Sequence, residues 1–146
     1  MKAAFMMAAP TSGSGKTTIA RGLMALYTRK GYRVQPFKCG PDYIDTKFHE
    51  AVCGRPSVNL DTFMATKTHV GELFAHYGEE ADVCIVEGMM GLFDGYDRDL
   101  GSSAEIAQTL DNLRHMIAVD IHQQFVVGLH DDRLYTWLDV RQAVLA

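Results

Sequence analysis

Ala9-Pro10-Thr11-Ser12-Gly13-Ser14-Gly15-Lys16-Thr17-Thr18 is the stretch that decides the fold of this chain. An apolar run, Ala3 to Ala8, leads into it, and a helical pattern beginning near Thr17 leads out. Strand, glycine-rich loop and helix in that order make a phosphate-binding P-loop, although Pro10 stands where the strict pattern has glycine. Gly13 and Gly15 let the backbone curl until successive N–H groups enclose an anion. Lys16 reaches the β- and γ-phosphates, and the Thr17 hydroxyl is a ligand for Mg²⁺. The helix that starts here turns its positive end toward the phosphates. Ser12, Gly13, Ser14, Gly15, Lys16, Thr17 and Thr18 are therefore the candidate nucleotide-binding residues. A solvated glycine-serine turn is the bland alternative, and it does not account for strand, Lys-Thr and helix falling in register.

Outward from the loop, Ile19, Leu23, Leu26 and Tyr27 share one helical face as far as Gly31, a natural stop. Tyr32 to Lys38 reads as a strand in which Pro36 removes one ladder hydrogen bond. A short helix over 46–52, a turn at Gly54-Arg55-Pro56 and a mostly helical stretch over 61–77 follow. Asp82 to Gly88 is an apolar run ending in the carboxylate of Glu87, the pattern of a buried parallel strand. Ser102-Ser103-Ala104-Glu105 has capping-box form and opens a helix to about Leu110. His115 to Ile121 reads as another strand. Strands alternating with helices predict an α/β domain, a P-loop NTPase-like, mainly parallel sheet flanked by helices. Ligands in such sheets sit beyond the strand C-terminal ends, where the P-loop, Asp42, Asp45 and Glu87 gather.

At 146 residues and 47% hydrophobic, the chain suits one globular domain with a real core. A net charge of −4 gives no electrostatic case for nucleic acid or an anionic membrane, and no segment is long enough to span a bilayer. The apolar start imitates a short signal peptide, but cleavage near Ala9 would remove the strand that supports the loop. Cys39, Cys53 and Cys84 make no CxxC pair and leave an odd count, which predicts reduced thiols and a cytoplasmic setting. The histidines form neither an HExxH nor a zinc spacing.

Acidic groups carry the remaining chemistry. Glu87, at a strand end, is placed to ligate Mg²⁺ or hold one of its waters. Asp42 and Asp45 lie three apart in one loop and can face one cleft; either alone reads equally as a turn or capping residue. Lys38 beside them can neutralise a transferring phosphoryl group, or reads equally as a surface lysine. Asp94 sits in a glycine-rich loop with Met89, Met90 and Phe93, which suits closure over an apolar-bodied ligand better than a free surface turn.

Five stretches in order resemble the cobyrinate a,c-diamide synthase family: the P-loop, Gln35 to Asp45, Gly54-Arg55-Pro56-Ser57 with Asn59-Leu60-Asp61, Glu87 to Gly95, and Gly101 to Glu105. Dethiobiotin synthetase and the partition-type ATPases are wider relatives; the latter carry a second lysine where Thr11 stands. The resemblance implies an ATP-dependent carbon–nitrogen ligase of cobalamin biosynthesis. It would convert two acetate carboxylates of a tetrapyrrole, cobyrinate or hydrogenobyrinate, to amides through acyl phosphates. It implies ATP and Mg²⁺ as cofactors, and ammonia as nitrogen source, drawn from glutamine in a separate C-terminal glutaminase domain. Carried over residue by residue, Lys16, Lys38, Asp45 and Asp94 are the catalytic candidates, and Thr17, Asp42 and Glu87 the metal candidates.

The resemblance covers residues 1 to about 121. The tail, 122–146, is divergent, with Phe125 to Leu129 a strand too close to its predecessor for a parallel crossover. Asp131 or Asp132 is expected to cap a last helix with Leu134, Trp137, Leu138, Val144 and Leu145 on its apolar face. The expectation is a truncated or divergent single synthetase domain over 1–146, with no glutaminase domain and with room for a homodimer. The competing readings are a non-catalytic or partner-dependent nucleotide-binding remnant, and a dethiobiotin-type ligase acting on another carboxylate.

Overall fold

The computed structural model describes residues 3–98, 100–110, 113, 115–120, 125–130 and 133–135. The chain runs β1 (Ala3–Ala8), α1 (Lys16–Arg29), β2 (Val34–Cys39), α2 (Asp45–Cys53), β3 (Val58–Leu60), α3 (Lys67–Gly78), β4 (Val83–Glu87), α4 (Ser103–Thr109), β5 (His115–Asp120), β6 (Phe125–His130) and β7 (Arg133–Tyr135). One sheet takes the strands in the order β3-β2-β4-β1-β5-β6-β7. The first five in that order pair parallel, with β1 flanked by β4 and β5.

Apolar runs such as Val83-Cys84-Ile85-Val86 take this central place because both faces of a parallel sheet are covered. Alternate residues point to opposite faces and enter two separate cores. Met6, Cys84 and Val86 pack with Val70 and Phe74 of α3 and Ile106 of α4. Met7, Val83 and Ile85 pack with Ala20 and Met24 of α1 and the end of α2. The sheet is therefore sandwiched between α1 and α2 on one side and α3 and α4 on the other. The chain moves one way from β1 to β2 and the other way from β4 to β5, so the C-terminal ends of β1 and β4 frame the crevice where ligands enter such sheets.

Pro36 is accommodated where β3 has not yet joined, since β2 and β3 are in register only from Phe37 onward. The buried Gln35 side chain donates to the carbonyls of Pro36 (3.0 Å) and Pro56 (2.9 Å), closing that gap. Gly31 stops α1 with φ 86°, the left-handed conformation its lack of Cβ permits.

Three expectations are corrected. The helix expected from residue 61 starts only at Lys67, because Thr66 caps it by accepting the His69 N–H and Asp61 instead closes a turn on Phe63 N–H. β3, a three-residue strand, follows the expected turn at Gly54-Arg55-Pro56, where no strand is expected. In the tail, β6 pairs antiparallel with β5 and β7 antiparallel with β6, so Leu134 belongs to a strand and not to the expected helix, while Asp131 and Asp132 lie outside the described residues. An antiparallel neighbour needs only a short connection, which resolves the crossover difficulty. Trp137, Leu138, Val144 and Leu145 lie outside the described residues.

Candidate active site

The P-loop leaves β1 at Ala8 and closes on Gly15, with Gly13 at φ 76° and Gly15 at φ 87°. Both are conformations costly for a side chain bearing Cβ. Buried Ser14 fixes the curl, its hydroxyl donating to the Thr11 carbonyl at 2.8 Å, while Ser12, Gly13 and Thr18 stay exposed. α1 then begins at Lys16, so its free N–H groups open toward the loop. Lys16 is buried, and its Nζ donates to the Met90 carbonyl at 2.6 Å. Burial, and then the neighbouring Lys38 charge, hold the Lys16 ammonium below its ordinary pKa, against Glu87 and Asp45.

Glu87 ends β4 with 1% exposure and both carboxylate oxygens engaged. Oε1 accepts the Thr17 hydroxyl at 2.5 Å, and Oε2 lies 2.6 Å from His49 Nε2. A threonine hydroxyl and a carboxylate side by side are hard oxygen donors, the kind a small divalent cation takes beside phosphate oxygens and water. His49, fully buried on α2, was missed in the sequence; its other nitrogen, Nδ1, lies 3.0 Å from Ser57 Oγ. The available signal was its position one turn after Asp45, on the same helical face.

Lys38 is buried at the end of β2, 3.7 Å from Asp42 Oδ2 and 3.9 Å from Asp45 Oδ2, and donates to the Gly88 carbonyl at 3.3 Å. Asp42 Oδ1 also accepts the N–H groups of Ile44 and Asp45, each at 2.9 Å, thereby starting α2. Burial raises the Asp42 carboxyl, but those two N–H groups and Lys38 outweigh it and leave its pKa lowered. Asp45 goes the other way, raised by burial, by Glu87 and by Asp42 against the pull of Lys38. The fold thus brings Lys16, Thr17, Lys38, Asp42, Asp45 and Glu87 around one crevice. Asp94 is exposed and accepts the Gly91 N–H at 2.8 Å, which makes it the closing residue of its own loop.

That loop runs against the P-loop, with Leu92 N–H donating to the Ala9 carbonyl at 2.8 Å and Met90 at φ 44°. Met90 and Phe93 are exposed, as are Tyr43 and Ile44 beside Asp42. Phe63 and Tyr96 stack edge-on, ring centres 4.8 Å apart, although both stand in solvent.

Residues 5–136 match the model of the CobQ/CobB/MinD/ParA nucleotide binding domain. The chain belongs to this family. It is also 50% identical over 106 residues to a cobyrinate a,c-diamide synthase of Listeria monocytogenes, covering 70% of this chain and 24% of that protein. A cobyrinate a,c-diamide synthase of Picrophilus torridus is 48% identical over 118 residues, 80% of this chain and 26% of the relative. A hydrogenobyrinate a,c-diamide synthase of Streptomyces coelicolor is 48% identical over 107 residues, 72% of this chain and 22% of the relative. The chain spans about a quarter of the length of these curated relatives. Among the described residues no helix is long and apolar enough to cross a membrane.

Proposed function

We propose that this nucleotide-binding domain performs the ATP-dependent activation step of a cobyrinate or hydrogenobyrinate a,c-diamide synthase. The observation that carries the proposal is the 2.5 Å contact between Thr17 of the P-loop and Glu87 at the end of β4, in a chain close to half identical to such synthases. The N–H groups of residues 12–18 and Lys16 hold the triphosphate. Thr17 and Glu87 would hold Mg²⁺, with Asp42 at its margin, and a bound ion would supply positive charge beside the γ-phosphoryl oxygens. Lys38 adds a second positive charge to the crevice.

In the proposed reaction an acetate carboxylate oxygen of the tetrapyrrole attacks the γ-phosphorus in line, and the bond to the β-phosphate oxygen breaks, leaving ADP and an acyl phosphate. Ammonia then adds to the acyl carbon, phosphate departs, and loss of a proton gives the amide. Little covalent work falls to the protein; it positions reactants and neutralises charge. Asp45 and Asp94 are assigned to the substrate side, and the exposed Tyr43, Ile44, Met90 and Phe93 to its apolar body. The domain receives ammonia either from free solution or from a glutaminase domain.

Phosphate release with Mg²⁺, ATP, ammonia and cobyrinate tests the proposal. Wild type is expected to release phosphate only when the tetrapyrrole acid is present. Asp45→Asn and Asp94→Asn are expected to abolish that release while nearly preserving ATP affinity, the signature of contacts made in the transition state. Absence of substrate-dependent release in wild type would overturn the reading, and mutants matching wild type would reduce both aspartates to turn residues.

A further inference from the structure

We propose that His49 is a positioning residue that holds Glu87 in place for the divalent cation and, through one turn of α2, holds Asp45 over the same crevice. The proposal rests on the nucleotide-binding reading above. Its ground is a continuous row of polar atoms running from Ser57 through His49 and Glu87 to Thr17, with separations of 3.0, 2.6 and 2.5 Å. Its interior members are sealed, His49 at 0% and Glu87 at 1% exposure.

The chemistry of the row fixes its direction. An ionised carboxylate only accepts, so His49 Nε2 carries the hydrogen and donates to Oε2, while the Thr17 hydroxyl donates to Oε1. At the other end Nδ1 lies 3.0 Å from the Ser57 hydroxyl, a group able to donate to it or accept from it. With its proton committed to Glu87, the Thr17 oxygen keeps its lone pairs for a cation. A carboxylate held by one donor alone can rotate about its terminal torsion, which is broad for glutamate. The second donor, anchored on a different element, removes that freedom, as partners behind metal ligands commonly do.

The same contact reaches Asp45. Asp45 and His49 are four residues apart in α2 and lie on one face. Fixing His49 against β4 therefore fixes the azimuth at which Asp45 meets Lys38, 3.9 Å away. Phe48 on the neighbouring position instead covers Arg21 of α1, the guanidinium carbon 4.4 Å from the ring centre, so α2 is held from a second direction.

The experiment compares His49→Gln with His49→Asn by calorimetric ATP titration, in EDTA and across a series of Mg²⁺ concentrations. A glutamine amide reaches about as far as Nε2 and can donate to Glu87, whereas asparagine stops near Nδ1. His49→Asn is expected to need about 10- to 100-fold more Mg²⁺ for the same gain in ATP affinity, the usual loss for such partners, with affinity in EDTA unchanged. His49→Gln is expected to restore the wild-type Mg²⁺ dependence. Equal loss in EDTA and in Mg²⁺ would mark a folding role only, and both variants matching wild type would also overturn the proposal. A wild type with no Mg²⁺-dependent ATP binding would remove the nucleotide reading itself, which is a distinct outcome. Nitrogen-15 spectra of the wild-type imidazoles give an answer free of folding defects. The His49 Nε2–H resonance is expected to shift when Mg²⁺ joins the ATP-saturated protein, and an unmoved resonance would overturn the proposal.

Discussion

Lys16→Ala should separate binding from folding. In the folded chain the Lys16 ammonium is buried, loses basicity first through that burial and then through Lys38, and is satisfied by the Met90 carbonyl at 2.6 Å. A lysine whose folded pKa is depressed costs stability at neutral pH, and the cost is relieved as pH rises through the folded value. Alanine removes the cost along with the packing of the four-carbon stem. The space vacated by the lysine side chain admits water, which can replace the lost donor at the part-buried Met90 carbonyl. These opposing changes predict a Tm within a few degrees of wild type. Binding has no such compensation. One charge-assisted hydrogen bond to phosphate is worth about 1.5–3 kcal/mol, or about 10- to 150-fold in affinity. Calorimetric ATP titrations in Mg²⁺ beside thermal melts by circular dichroism measure both. Equal ATP affinity in mutant and wild type would refute the assignment of Lys16 to the phosphates. A collapse in Tm would show that its bond to Met90 organises the fold instead.

Gly88→Ala should cost about 1–3 kcal/mol by overpacking, visible as a Tm lower by several degrees. The new Cβ would stand 2.8 Å from the Met7 carbonyl and 2.9 Å from Ser103 Oγ, both fixed by their own hydrogen bonds; an unchanged melt would refute it. Asp45→Asn should raise Tm at pH 7 without nucleotide or divalent cation, and the gain should shrink as pH falls into the ordinary carboxylate range. The sign follows because a raised carboxyl pKa means the folded state binds more protons, so stability falls as pH rises through that window; a gain independent of pH would count against it. Burial pushes the thiols of Cys39 and Cys84 up to about 12 and that of Cys53 up to about 11. These 146 residues should therefore release no glutamate from glutamine, and glutamate detected in a coupled dehydrogenase assay would refute that.

Much of the site was legible because it is local. The P-loop needs one strand, one loop and one helix in succession, a layout whose spacing the sequence displays directly. Glu87 was legible for a related reason, since a carboxylate closing an apolar run must stand at the end of a buried strand. Asp42 and Asp45 were readable as a pair but not apart. Burial raises both carboxyls, and they diverge because two backbone N–H groups pull Asp42 down while Glu87, forty-two positions along the chain from Asp45, pushes Asp45 further up. The tail misled because Leu134 and its neighbours form a short apolar run, in which helical and strand periods cannot be separated.

His49 and the acceptors of the two lysines were hidden for a deeper reason. A single histidine in a short helix has no pattern of its own, and its meaning comes from a contact with Glu87 that only the packing of α2 against the sheet creates. The acceptors are main-chain carbonyls, Met90 for Lys16 and Gly88 for Lys38, and a carbonyl is the same in every residue. Their placement depends on the path of the 88–94 segment, set by Met90 at positive φ and by the bond from Leu92 N–H to Ala9. Two buried ammonium groups in one crevice repel each other, and each is held by a carbonyl of the same short segment. Phosphate oxygens carry full charge and are the stronger acceptors. On the proposed reading, a triphosphate entering the P-loop would compete directly with the contact by which this segment holds Lys16, and that contact is made by the carbonyl of Met90, whose side chain is exposed like that of Phe93.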